Sequence, residues 1–291
     1  MRRWFETIEL SVSRGIATIT LNRPGRLNAF NACMLDDLVA AFDATDADDE
    51  VKVVIVTGAG NRAFCSGLDL AEGADAFDLG SPEDPSTGSC RVQRDLGGQL
   101  TLRIFKSLKP VIAAVNGAAV GVGATMQLAM DIRMAAKSAR FAFVFARRGI
   151  TPEAASSWFL PRLVGIQNAL EWCYTGRFVA AEEALTGGLV RSIHADHDLL
   201  PATHTLAREI ADTAAPVSVA LTRQLMWQMM TSSHPMDAHR IDSRAIQSRG
   251  RSADAKEGAD AFLAKRVAHF SDRVSVDMPD FFPWWSDPPF T

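Results

Sequence analysis

Apolar and polar residues alternate along Ile8–Ser13 and again along Ile16–Leu21, on either side of Arg14-Gly15. A period of two marks half-buried strands, so the chain opens on a predicted hairpin that leads into the turn Asn22-Arg23-Pro24-Gly25. The period then changes. Ala29, Phe30, Met34, Leu35, Leu38, Val39 and Phe42 recur on one helical face, which predicts a helix over 28–45 closed by the acidic cluster 46–50. Apolar runs over 51–57 and 111–115, rich in β-branched residues, predict buried strands. Each strand leads through small residues toward a helix, by way of 63–70 in the first case and 117–123 in the second. Helical periodicity returns over 92–108, and strand pieces are expected over 132–136 and 140–145.

Beyond Gly149-Ile150-Thr151-Pro152 the pattern is mostly helical, with helices expected over 153–163, 167–175, 180–186, 200–214, 217–230, 236–249 and 253–269. Pro201 and Pro216 fall where a first helical turn accepts proline. Between these elements, 71–88 shifts to Gly, Ser, Pro, Asp and Glu and is expected to be a mobile surface loop. The segment after Ser271 has no period. Its Phe281, Phe282, Trp284, Trp285 and Phe290 make it too apolar for a disordered end, so it should pack on its own chain or a neighbouring subunit. The fold class is therefore α/β: strand, small-residue turn and helix recur in the first two thirds, as in stacked strand–strand–helix units, and a helical region follows.

Composition adds exclusions. With 291 residues, 47% of them hydrophobic, the chain can bury the core of one large domain, with or without a smaller helical extension. A net charge of -4 and no basic block give no footprint for nucleic acid. No apolar run reaches membrane-spanning length, and no apolar h-region follows Met1-Arg2-Arg3, so a soluble, cytoplasmic protein is expected. Cys33, Cys65, Cys90 and Cys173 lack CxxC spacing, which fits reduced thiols better than disulfides or a metal site.

Candidate chemistry concentrates in 109–131, KPVIAAVNGAAVGVGATMQLAMD, where a buried strand feeds a helix N-terminus through Gly117, Ala118, Ala119, Gly121 and Gly123. Small residues there let a ligand approach free backbone N–H groups, which can face a developing negative charge. A tight turn in an α/β core fits the same residues equally well.

Asn22-Arg23-Pro24 with Leu27-Asn28-Ala29-Phe30, then the turn 63–70, then Lys109 to Gly117, resemble the enoyl-CoA hydratase/isomerase (crotonase) superfamily in order and spacing. Leu160-Pro161-Arg162-Leu163-Val164-Gly165, Thr175-Gly176-Arg177, Gly188-Leu189-Val190 and Lys256-Glu257-Gly258 continue the resemblance over roughly 5–270. It implies a crotonase-like fold of repeated ββα units with a C-terminal helical region used in trimerisation: a core with the acyl-CoA site over 1–200, the helical region over 201–270 and an aromatic tail over 271–291. It further implies a homotrimer or dimer of trimers, an acyl-CoA substrate, and no cofactor beyond the coenzyme A carried by that substrate.

By motif matching, the backbone N–H groups of Leu68 and Val122 would hold the thioester oxygen. Arg26, Leu27, Ala29, Ser66, Gly67, Asp69, Leu70, Gly121 and Lys265 would surround the acyl-CoA, with Arg266 a further cation for its phosphates. The sequence departs from the hydratase pattern at the acids, because Thr125 and Phe145 occupy the two glutamate positions. Glu153 instead resembles the proton-shuttling glutamate of the Δ3,Δ2-enoyl-CoA isomerase branch. Isomerisation is thus the first expectation, with enoyl-CoA hydration and a non-catalytic acyl-CoA-binding protein as alternatives. Glu153 also reads as a first-turn helix acid favoured by the macrodipole. Burial among Phe143, Phe145 and Trp158 would raise its pKa. Asp69 reads as a cap, Asp95 as a solvated helix charge ahead of a group facing the pocket, and His194 and His197 as surface groups in a polar connector.

Overall fold

Six strands form the larger sheet of the computed structural model, which describes residues 5–78 and 92–290. β1 (Ile8–Ser13) and β2 (Ile16–Leu21) are the expected antiparallel hairpin, with Ile8 opposite Leu21. β2 then pairs in parallel with β3 (Val53–Gly58), β3 with β5 (Val111–Val115), β5 with β7 (Ile132–Ala136), and β7 with β10 (Ser192–His194). Every residue of β3 and β5 is buried, as parallel strands covered on both faces must be, and both were legible as unbroken apolar runs.

A smaller sheet runs β4 (Ala63–Cys65), β6 (Ala118–Val120), β8 (Arg140–Ala142) and β9 (Val179–Ala180), with β4, β6 and β8 mutually parallel. The two sheets are threaded together. β3 passes directly to β4, β5 to β6 and β7 to β8, so each unit contributes one strand to each sheet before a helical segment follows. The chain thus has the repeated ββα architecture of the crotonase fold, followed by helices α6 (Leu199–Thr213), α7 (Pro216–Met229), α8 (Pro235–Arg249) and α9 (Ala253–Leu263). The amphipathic helix α6 packs across β2, β3, β5 and β7.

Several boundaries differ from the periodicity. Helix α1 is Ala32–Ala47, starting later than the expected residue 28 because Asn31 caps it by accepting from the Met34 N–H at 2.9 Å. Leu27 and Asn28 sit at φ 52° and 55°, incompatible with a helix. The fully buried Asn28 donates to the carbonyls of Ala59 and Ala63 at 3.0 and 2.9 Å, pinning this turn to the β3–β4 link. The helical segment after β6 is a single turn, α3 (Val122–Thr125), continued by a 3₁₀ turn over Met126–Ala129. α2 covers only Leu96–Phe105. The helices expected over 153–163 and 167–175 form one element, α4 (Ser156–Thr175), broken at Gly165. The short helix after β9 is α5 (Ala181–Thr186). His194, expected in a polar connector with His197, belongs instead to strand β10, and α9 ends at Leu263 rather than 269. Of the expected loop over 71–88, Leu70–Phe77 forms 3₁₀ turns, and 79–88 lies outside the described residues.

The aromatic tail folds back on its own chain. Val274 is buried with Val217, Ala220 and Leu221 of α7, and Met278, Phe282 and Trp284 pack around them. Among the described residues no helix is long and apolar enough to cross a membrane.

Candidate active site

β4, β6 and β8 run in parallel, so the segments after their carboxyl ends emerge side by side, as ligand-binding loops of parallel sheets do. Ser66-Gly67-Leu68 follows β4, Gly121-Val122 follows β6 and Val144-Phe145 follows β8, and all of these residues line one cavity of about 470 Å³. Phe30, Leu70, Phe77, Leu96, Gly97, Arg148, Ile150 and Glu153 complete much of its wall.

Two residues of the cavity wall, Leu68 and Val122, carry backbone N–H groups that the local structure leaves without a backbone acceptor. Phe30 N–H donates to the Gly67 carbonyl at 2.8 Å and Asp69 N–H to the Phe30 carbonyl at 2.7 Å, a parallel bridge that fixes Leu68 while leaving its N–H out of the ladder. Val122 is the first residue of α3, where an N–H has no intrahelical acceptor. Neither N–H donates to a backbone acceptor among the described residues. The two turns lie close only because residue 123 is glycine. A Cβ there would fall 2.2 Å from the Cys65 carbonyl oxygen, so any larger residue would push α3 away from the end of β4.

Glu153 lies in the strap between Ile150 and α4, before the helix rather than in its first turn, which removes the helix-acid reading. The strap is tied down at several points. Ala154 N–H donates to Asp95 Oδ1 at 3.0 Å, Thr101 Oγ1 donates to the Ala154 carbonyl at 3.0 Å, and Ser156 N–H donates to the Glu153 carbonyl at 2.9 Å. Ala154 and Ala155 are held at φ 58° and 51°, where a non-glycine residue carries a cost of about 1–3 kcal/mol. These bonds keep the chain in that conformation and aim the Glu153 side chain inward.

The carboxyl of Glu153 accepts a hydrogen bond from the Thr125 hydroxyl at 2.5 Å through Oε1, while Oε2 lies over Gly97, where a Cβ would sit 1.9 Å away. Burial pushes the carboxyl pKa up to about 7; the Thr125 bond opposes the rise and the charge of Asp95 adds to it. The Thr125 position, a missing glutamate in the motif comparison, therefore holds the glutamate that remains. Only Phe145 of the three expected aromatic neighbours lines the cavity. Phe143 stacks on Trp172, and Trp158 packs edge-on against Phe105 and Phe159.

Of the residues matched by motif, Ser66, Gly67, Leu68, Leu70, Gly121, Val122 and Glu153 line the cavity together. Arg26, Leu27 and Ala29 stand behind it: the Leu27 carbonyl accepts from Ser66 N–H at 3.1 Å and the Ala29 carbonyl from Arg23 Nη1 at 2.5 Å. Asp69 pairs with Arg23 at 2.8 Å and accepts from Ala71 N–H at 3.3 Å. Lys265 is exposed beyond α9, off the cavity wall, and Arg266 pairs with Glu257. Asp95 is not a solvated charge, because it caps α2 at Gly98 N–H and holds Ala154 as well. His194 belongs to β10 and sits 2.8 Å from Ser192 Oγ, whereas His197 is exposed beside Asp198. Motif reading missed Thr125, Asp95 and Gly97 as partners of Glu153. Only Asp95-Leu96-Gly97-Gly98, an acid before paired glycines, offered a local signal.

Comparison with known proteins agrees with this geometry. The family model for enoyl-CoA hydratase/isomerase matches residues 11–273. Enoyl-CoA hydratase AFT3-1 of Alternaria alternata is 45% identical over 89% of this chain and 84% of its own length. The 1,2-epoxyphenylacetyl-CoA isomerase of Escherichia coli is 36% identical over 92% of this chain and 99% of its own. The crystal structure of enoyl-CoA hydratase from Bacillus anthracis superposes with a TM-score of 0.80 at 29% identity, covering 91% of this chain and 99% of that one. This chain belongs to the enoyl-CoA hydratase/isomerase family and is an enzyme of the crotonase superfamily.

Proposed function

We propose that this enzyme moves a double bond in an acyl-CoA, as a Δ3,Δ2-enoyl-CoA isomerase does, with Glu153 as its single acid/base. The observation that carries this reading is a carboxyl poised near pH 7 beside two free backbone N–H groups in one cavity. The other acid on the cavity wall among the described residues, Asp95, accepts from two backbone N–H groups through its Oδ1 and serves to hold α2 and the strap. One free carboxylate suffices for isomerisation. Ionised Glu153 takes a proton from C2 of a 3-enoyl thioester, the electron pair delocalises onto the thioester oxygen as a dienolate, and the same carboxyl returns the proton at C4. The N–H groups of Leu68 and Val122 hold the oxyanion, each worth about 3 kcal/mol by the behaviour of other oxyanion holes. Hydration asks in addition for a water aimed at C3.

Coenzyme A arrives as part of the substrate, so the reading needs no separate cofactor. The turn at Arg26, Leu27, Ala29 and Asp69, together with Lys265, is assigned to the coenzyme A side because it adjoins Ser66 and Gly67 or carries free cationic charge. The exposed Ile246, Phe262 and Leu263 on α8 and α9 support a homotrimer or a pair of trimers.

A second reading, hydration of a 2-enoyl-CoA, is favoured by the names of the Alternaria relatives at 43–45% identity. Purified enzyme offered 3-enoyl-CoA and 2-enoyl-CoA separately distinguishes the two. Isomerisation is expected, rising with pH to a plateau around a midpoint near 7, because the base must be ionised. Glu153→Gln should lose about 10²–10⁴-fold in turnover. Hydration of 2-enoyl-CoA without isomerisation of 3-enoyl-CoA reverses the ranking.

A further inference from the structure

Thr125 is completely buried, and its hydroxyl oxygen lies 2.5 Å from Glu153 Oε1 and 3.3 Å from the carbonyl oxygen of Gly121. A hydroxyl has one proton, so it makes its strong donation to one of these acceptors at a time. The two acceptors stand on opposite sides of the proposed chemistry. Oε1 belongs to the base. The Gly121 carbonyl shares a peptide group with the Val122 N–H, one of the two donors assigned to the thioester oxygen.

Before proton transfer the negative charge is on Glu153, and a hydrogen bond to an ionised acceptor is about twice as strong as one between neutral groups. The hydroxyl therefore points to Oε1. The Gly121 carbonyl already accepts from the N–H groups of Ala124 and Thr125 at 2.8 and 3.0 Å, which makes it the weaker attraction in that state. Once the substrate proton is on Glu153, the carboxyl is neutral and the charge has moved to the thioester oxygen. The advantage of Oε1 then disappears. A donor turned to the Gly121 carbonyl polarises that peptide group and strengthens its N–H, since hydrogen bonds in a chain polarise one another.

We propose that Thr125 is a positioning residue whose hydroxyl follows the charge, donating to Glu153 while the base is ionised and to the Gly121 carbonyl when the base is protonated. One side chain thus couples the base to the Val122 N–H. No covalent bond in Thr125 is made or broken; the hydroxyl rotates, and the substrate proton stays on Glu153 until it is returned. The inference rests on the assignment of Glu153 and Val122 made above. It agrees with the direction in which the Thr125 bond acts on Glu153, toward the ionised form.

Hexanoyl-CoA carrying ¹³C at the thioester carbonyl has no double bond to move and reports on the oxyanion donors through its carbonyl stretch. In the wild-type enzyme the stretch should titrate with Glu153, at lower frequency on the acid side, where the hydroxyl supports Val122. Thr125→Val should lose at least half of that amplitude, keeping only the direct field of Glu153, and Thr125→Ser should restore it. Thr125→Val should also raise the midpoint of the pH–rate profile for 3-enoyl-CoA and lower plateau turnover about tenfold. Thr125→Ala replaces the valine variant if the latter melts early. Equal amplitudes with and without the hydroxyl overturn the coupling. Wild-type turnover by Glu153→Gln overturns the base assignment instead, so the two failures are separable.

Discussion

A carboxyl held near pH 7 is useful to a base and expensive to the fold. Glu153 has an ordinary carboxylate pKa of 4.5 when exposed and about 7 in the folded chain. Between those values the folded state holds a proton that the unfolded state has released, so stability falls as pH rises through this window. Every tenfold difference in proton affinity between the two states corresponds to about 1.4 kcal/mol, which sets an upper limit on the order of 3 kcal/mol lost by pH 8. Glu153→Gln should therefore melt at a higher temperature than wild type at pH 8 and at a similar one near pH 5, while losing turnover. A wild-type midpoint that does not fall relative to the variant over pH 5–8 rules out the raised pKa. Gly97 is tested by Ala: its Cβ would lie 1.9 Å from Oε2, so the carboxyl must move. A displacement near 1 Å costs about 10²-fold in rate, and Gly97→Ala should show that loss in turnover with a lower melting temperature, because the same Cβ would lie 3.0 Å from the Ala154 Cβ. These dependences explain what motif reading reached. Glu153, Leu68 and Val122 carry local sequence signatures, whereas Gly97 and Thr125 matter only because the fold sets them against a residue far along the chain.

The start of α2 and the strap before α4 form one device joined by Asp95. Its Oδ1 accepts from Gly98 N–H, capping α2, and from Ala154 N–H, fixing the residue after Glu153. Its charge also raises the Glu153 pKa. Asparagine keeps an oxygen acceptor and removes the charge; alanine removes both. Asp95→Asn should hence move the acid limb of the pH–rate profile to lower pH with the fold preserved. Asp95→Ala should in addition lose about 0.5–2 kcal/mol of stability as the cap goes. An unchanged limb in Asp95→Asn would falsify the electrostatic link. The sequence foretold that helices occur near 92–108 and 153–175, because their apolar spacing is regular, but not where they begin. Those starts are set by the Asp95 cap and by the left-handed Ala154 and Ala155, which no periodicity records.

Across the molecule, the helical region is keyed to the sheet through the ion pair of a buried arginine rather than by apolar contact alone. Arg223 of α7 is 6% exposed and reaches Asp131 Oδ2 at 2.9 Å, while its other nitrogens donate to the carbonyls of Ile104, Phe105 and Ser107 where α2 ends. Asp131 in turn accepts from Val111 N–H at 2.7 Å, at the entry to β5, and from Trp227 Nε1 at 2.7 Å. One arginine thus caps the carboxyl end of α2, favourable for a cation there, and ties α7 to β5, which leads into β6 and only then into the Gly121-Val122 turn. None of this was legible in sequence, where Arg223 is one basic residue on a helix and Asp131 one acid after an apolar run. For the same reason the hairpin could be anticipated from its own alternation, but the pairing of β3 with β5, between residues more than fifty positions apart, could not. Arg223→Met retains the aliphatic volume and removes the arginine's own bonds, leaving the partly exposed Asp131 carboxylate to Val111 N–H and Trp227 Nε1. A buried carbonyl that loses its donor costs about 1–3 kcal/mol, so the variant should melt several degrees lower. The pH–rate midpoint should stay near 7, since Arg223 touches neither Glu153, Thr125 nor Asp95; a lower melting temperature with a moved midpoint would mean that the lock shapes the base as well as the fold.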